Sequence, residues 1–138
     1  MPMKIFLVED SLVARGQLAA MLATIPGAEI VGEAQSALPA IRDILALRPD
    51  LVLLDVHLAE GSGFDVLTAV HVSAPEIDFC MLTRFAPHSY RQLAERLGAG
   101  AVFDKQMEFG RVRELVVRRV AAGHAPAAKR QPSQGDLQ

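Results

Sequence analysis

The sequence predicts an α/β protein built on a doubly wound parallel sheet of five strands, and three observations carry that reading. Strand-like and helix-like hydrophobic periods alternate strictly along the 138 residues, the pattern of a parallel sheet with helices on both faces. Leu51-Val52-Leu53-Leu54 is an unbroken apolar run, as expected of a central strand covered on both sides. The strand-like runs end abruptly in polar residues: Glu9-Asp10, Asp55, Thr83 and Lys105.

The first strand is Lys4 to Val8. After Glu9-Asp10-Ser11, the residues Ala14, Leu18, Met21, Leu22 and Ile25 recur on one helical face, and Pro26-Gly27 stops that helix. The second strand is Glu29 to Glu33. Ser36 is placed to cap the second helix, whose first turn tolerates Pro39 and whose apolar face reads as Leu38, Ile41 and Leu45. Pro49-Asp50 breaks it, and the central strand then ends at Asp55. Gly61 and Gly63 mark a loop before a third helix around Asp65 to Val72, and the fourth strand is Ile77 to Leu82, closing at Thr83.

The fourth helix is expected from about His88 to Leu97, with Tyr90, Leu93, Ala94 and Leu97 inward and Gly98 as its stop. Ala101 to Asp104 is the short fifth strand, followed at once by Lys105. The fifth helix is read over Phe109 to Ala121, burying Val112, Leu115, Val116 and Val120, with Arg111, Arg113, Arg118 and Arg119 mainly outward. Right-handed crossovers make the simplest strand order 2-1-3-4-5, a flavodoxin-like three-layer sandwich. One domain is expected over residues 1–121, and residues 122–138, rich in Ala, Pro and Gln, read as a disordered tail.

Composition excludes several classes. At 51% hydrophobic and 22% charged, with ten glycines and eight prolines, the chain is neither disordered nor collagenous. A single cysteine, Cys80, cannot form an internal disulfide, and it reads as a small core residue of the fourth strand. His71, His88 and His124 lack metal-ligand spacing. Neither a signal peptide nor a membrane span is legible, so the cytoplasm is the expected location. Residues 1–110 carry a net excess of six acidic groups and residues 111–138 an excess of four basic ones. The basic end reads as a solvated helix face and tail, without nucleic-acid binding.

In a sheet of this topology, ligands bind outside the carboxyl ends of the strands, near the point where strand order reverses. Adjacency of the first and third strands would bring Glu9, Asp10 and Asp55 into one crevice, an arrangement that is unfavourable without a cation or a proton. Magnesium suits it: Asp10, Asp55 and a nearby backbone carbonyl, best placed at His57, could hold the ion, with Glu9 acting through water. Phosphoryl transfer needs positioning and charge neutralisation above all. Asp55 would then be the nucleophile, Lys105 a mobile positive charge and the Thr83 hydroxyl a hydrogen-bond donor.

These residues resemble the receiver domain of two-component response regulators over about residues 3–121. The motifs that carry the likeness are Glu9-Asp10, Asp55 after Leu51–Leu54, Gly61-Ser62-Gly63, Thr83, and Gly98-Ala99 leading to Lys105. Residues 26–34 look most like receivers that elsewhere precede helix-turn-helix domains. The resemblance implies that Asp55 accepts a phosphoryl group from a sensor histidine kinase or phosphotransfer protein. It further implies that Glu9 and Asp10 organise Mg²⁺, that Thr83 is the switch hydroxyl and that Lys105 contacts the phosphoryl group.

Four positions depart from the family's pattern. Val102 stands where the switch aromatic is usual, with Phe103 next to it; Gln106 and Ala59 stand in place of prolines, and Arg84 replaces a small residue. With about 17 residues after the fifth helix, the expectation is a single-domain regulator and no enzyme. It would signal to a protein partner through the fourth helix, fifth strand and fifth helix, with homodimerisation left open. The alternatives are a fragment of a longer DNA-binding regulator and a phosphatase of the haloacid-dehalogenase type. That phosphatase would need an aspartate at His57. A flavin-binding domain fits less well, because Glu9-Asp10 would repel the flavin phosphate.

Overall fold

Leu51–Asp55 is buried along its whole length, and the rest of the architecture is arranged around it. The computed structural model describes residues 2–123. In chain order the elements are β1 (Met3–Val8), α1 (Leu12–Leu22), β2 (Ala28–Ala34), α2 (Ala37–Leu47), β3 (Leu51–Asp55), α3 (Gly63–Ser73), β4 (Asp78–Thr83), α4 (His88–Arg96), β5 (Ala101–Asp104) and α5 (Phe109–Ala121). The five strands form one sheet in the order β2-β1-β3-β4-β5, and every pairing is parallel. Both the fold class and the strand order agree with the sequence reading.

The pleat divides the core in two, because successive strand residues point to opposite faces. Ile5, Leu7, Leu51, Leu53, Cys80 and Leu82 pack with Leu18, Met21 and Leu22 of α1 and Val112 and Val116 of α5. Phe6, Val8, Val52, Leu54, Phe79 and Met81 meet α2, α3 and α4 on the other face. Burial pushes the Cys80 thiol up to about 12, which keeps it protonated and inert.

Several local expectations need correction. Helix α1 stops at Leu22, three residues earlier than its apolar period suggested; Ile25 is buried from the following turn, where its N–H donates to the Leu22 carbonyl. Ser36 is the N-cap of α2, yet its side chain makes no capping bond. Leu38 is 79% exposed, and the inward line of α2 is Ala37, Ala40 and Ile44, with Ile41 and Leu45 flanking it. The cause is a close approach: a Cβ on Gly61 would lie 2.6 Å from the Ala37 Cβ, so small residues must face the β3–α3 loop. In α5, Leu115 and Val120 are half-buried. Arg119 turns inward to pair with buried Asp78 at the start of β4. Of the tail expected to be disordered, residues 124–138 lie outside the described residues.

Candidate functional site

Four strand ends build the site. β1 delivers Glu9 and Asp10, β3 ends on Asp55, β4 on Thr83, and β5 is followed by Lys105. The register sets Val8 beside Leu54 and Asp55 beside Leu82, so the polar residues that follow these strands converge. Carboxylate oxygens of Glu9, Asp10 and Asp55 all lie within 4.8 Å of one another. Glu9 is 1% exposed and Asp55 6%, while Asp10 faces solvent.

Lys105 bridges the two buried carboxylates, its Nζ lying 2.7 Å from Glu9 Oε1 and 2.9 Å from Asp55 Oδ2. The Ser11 N–H donates to Glu9 Oε2 at 3.1 Å, and the His57 N–H to Asp55 Oδ1 at 3.4 Å. Burial raises the Glu9 carboxyl above its ordinary range more than its bonds from Lys105 and Ser11 lower it, and the charge of Asp55 adds to the rise. For Lys105, burial works downward; its hydrogen bonds to Glu9 and Asp55 and their charges outweigh that and hold the ammonium above its usual range.

Local sequence fixes this geometry. Gly63 packs under Asp55: a Cβ there would sit 2.1 Å from the Asp55 carbonyl oxygen, and the Gly63 N–H donates to the Val56 carbonyl at 2.8 Å. Ser62 and Asp65 form a capping box that starts α3 at this point. Ser11 caps α1, its hydroxyl accepting the Ala14 N–H at 3.2 Å, and Arg15 reaches back to the Glu9 carbonyl at 3.2 Å.

The expected residues are therefore brought together with two qualifications. The His57 imidazole stands outside the carboxylate cluster, exposed and 6.2 Å from the Tyr90 ring between centroids. The buried Thr83 hydroxyl donates to the Phe85 carbonyl at 3.2 Å, a bond within the β4–α4 loop. Sequence reasoning missed the Arg91 clasp on the neighbouring face. Arg91 of α4 donates to the carbonyls of Ala86 and Val102 at 3.2 and 2.8 Å and to Glu108 at 3.2 Å. Two of those three acceptors are backbone carbonyls, which carry no signal in a sequence.

A cavity of about 380 Å³ opens above Asp55, lined by Glu9, Asp10, Ser11, His57, Arg84, Phe85 and Lys105. Its oxygen-rich floor fits a hard divalent cation such as Mg²⁺. Buried carboxylates and an ammonium bonded to them share this cavity, groups of the kind that can neutralise charge in phosphoryl transfer.

The family model described as the response regulator receiver domain matches residues 5–117, and the chain belongs to that family of signalling modules. The DNA-binding transcriptional activator DevR/DosR of Mycobacterium tuberculosis is 31% identical over 122 residues, covering 88% of this chain and 56% of that protein. A protein-glutamate methylesterase/protein-glutamine glutaminase of a Nocardioides species is 29% identical over 98 residues, 71% of this chain and 27% of the relative. The chain thus spans between about a quarter and about a half of these relatives' lengths.

Among solved structures, the response regulator domain of Thermotoga maritima CheB superposes with a TM-score of 0.78 at 21% identity, covering 90% of this chain and 97% of that one. The receiver domain of a Pseudomonas aeruginosa sensor histidine kinase, solved with magnesium in its active-site cleft, gives 0.75 at 20% identity, covering 88% and 99%. Both likenesses are of fold. Among the described residues no helix is long and apolar enough to cross a membrane.

Proposed function

We propose that the chain is a phosphoacceptor switch in which Asp55 takes a phosphoryl group from the phosphohistidine of a sensor kinase or phosphotransfer protein. The observation that carries this reading is Lys105 spanning Glu9 and Asp55 at 2.7 and 2.9 Å beside a third carboxylate, Asp10. An Asp55 carboxylate oxygen attacks phosphorus, the phosphorus–nitrogen bond breaks, and its electron pair returns to the donor imidazole. Asp10, Asp55 and the His57 backbone carbonyl would hold Mg²⁺, with Glu9 acting through water. The ion supplies charge neutralisation on the phosphoryl oxygens.

Lys105 exchanges part of its carboxylate pairing for a phosphoryl oxygen. The Thr83 hydroxyl leaves the Phe85 carbonyl and donates to another. That exchange frees the β4–α4 loop, and the Arg91 clasp conveys the change to α4, β5 and α5, the surface offered to a downstream protein. The switching unit is residues 1–121, with no catalytic turnover beyond gain and loss of its own phosphoryl group.

Kinship with DNA-binding activators supports a second form of output, an effector domain on the same polypeptide; reading the coding frame beyond Gln138 decides between them. The central test is intact mass after incubation with a small phosphodonor and Mg²⁺. One added phosphoryl group is expected in the wild type and none in Asp55→Asn; equal labelling of both overturns the reading.

A further inference from the structure

Asp55 and Lys105 leave one charge at the site unanswered. With Glu9, Asp10 and Asp55 ionised and Lys105 protonated, the cluster carries two net negative charges. Replacing the single charge of Asp55 by a dianionic acyl phosphate makes three, and a divalent cation removes two. A phosphorylated, metal-loaded site therefore retains one negative charge even with the Lys105 ammonium counted in full.

One further cation lines this cavity. Arg84 sits on its rim and, together with Lys105 and Ser11, also lines the adjoining cavity of about 140 Å³ beside Phe109. Its side chain is exposed and makes no hydrogen bond or ion pair among the described residues. Other arginines on this side of the molecule are engaged: Arg15 with Glu9 and Glu33, and Arg91 with Glu108. Arg84 is also joined to the switching event through the backbone. It lies between Thr83 and Phe85, the two partners of the hydrogen bond that breaks when the Thr83 hydroxyl turns to the phosphoryl group.

We infer that Arg84 closes over phosphorylated Asp55, its guanidinium hydrogen-bonding phosphoryl oxygens and excluding the water that would hydrolyse the acyl phosphate. The inference rests on Asp55 being the phosphoacceptor. In that hydrolysis a water oxygen attacks phosphorus opposite Asp55, the bond to the Asp55 oxygen breaks, and its electron pair returns to the carboxylate. The water's protons pass to inorganic phosphate and solvent. The attacking water would enter past Arg84 and Phe85, which line the cavity and are exposed to solvent. A guanidinium can engage two phosphoryl oxygens at once, and its bulk then covers the approach.

Arg84→Ala and Arg84→Met are phosphorylated with a small donor and Mg²⁺, the donor is removed, and intact mass follows the loss of phosphate. Both variants are expected to decay about tenfold or more faster than the wild type, the effect of losing one charge-assisted hydrogen bond. Both should also bind the beryllofluoride mimic more weakly, while an exposed side chain leaves their melting temperatures unchanged. Equal or slower decay in Arg84→Ala overturns the role, as does wild-type decay in Arg84→Met, which keeps length without the cation. Failure of the underlying reading looks different: the wild type would gain no phosphoryl group, or Asp55→Asn would gain one.

Discussion

Strand β4 has a buried charged site at each end, and the two are built on opposite principles. At its start, Asp78 is 2% exposed and meets Arg119 of α5, one carboxylate to one guanidinium. Beside its end, Lys105 serves Glu9 and Asp55 while Asp10 adds a third carboxylate. Desolvating charge is costly, and a balanced pair offsets the cost within the fold. An excess of like charge is not offset internally, so it stores a demand for a cation and for a group that can rearrange the charges. The balanced site fastens α5 to the sheet, and the unbalanced one presents its excess charge to a cavity.

The largest effect should come from breaking the balanced pair. Arg119→Met removes the guanidinium from a carboxylate that stays buried, and about 3 kcal/mol of stability should be lost, read from urea unfolding. Phosphorylation of the folded fraction should survive. A loss below about 1 kcal/mol would place the pair with ordinary surface ion pairs and dissolve the contrast.

Magnesium sharpens the comparison from the other side. Binding only the folded state, Mg²⁺ at tenfold excess over its dissociation constant should add about 1.4 kcal/mol. The gain should shrink in Asp10→Asn, which keeps the buried pair of Glu9 and Asp55, and persist in Asp78→Asn at the far end. A wild-type melting temperature that does not move with Mg²⁺, or one that moves equally in Asp10→Asn, would mean that the carboxylate excess is not a metal site.

The two ends also differ in how far the sequence disclosed them. The placement of Glu9, Asp10, Asp55, Thr83 and Lys105 was legible because each stands at or within two residues after the end of an apolar run, and parallel topology brings such ends to one edge of the sheet. The strands and helices followed from hydrophobic period together with Pro and Gly breaks, apart from ends such as that of α1. Arg119 was misread as outward because four arginines along α5 resemble a solvated stripe, and nothing in the order of residues tells that Asp78 lies beneath one of them. Leu38 was misread for a related reason: hydrophobicity ranked it above Ala37, but the Gly61 contact selects for size. Gly63 was seen as part of a loop, whereas its role under the Asp55 carbonyl depends on a distance that only the folded chain defines.

The smallest effect belongs to Glu108, a charged cluster midway in character between the two. It is partly exposed and saturated with donors: its Oε1 accepts the Asp104 N–H at 2.8 Å and Arg91 at 3.2 Å, and its Oε2 accepts Arg111 at 3.2 Å. The Asp104 N–H foremost, then Arg91 and Arg111, hold this carboxyl below its ordinary value of 4.5. A carboxyl depressed on folding stabilises the native state above its unfolded pKa, and that contribution disappears as the pH falls through the folded one. Glu108→Gln should therefore cost about 0.5–1 kcal/mol at neutral pH, because solvent screens part of each interaction. The cost should close in acid, where wild-type Glu108 is itself protonated. Urea midpoints of the two proteins, measured at neutral pH and well below the ordinary carboxylate range, test this. A gap of constant size would show that Glu108 acts by shape and hydrogen bonding alone, and that the clasp joining α4 to α5 carries no charge-dependent part.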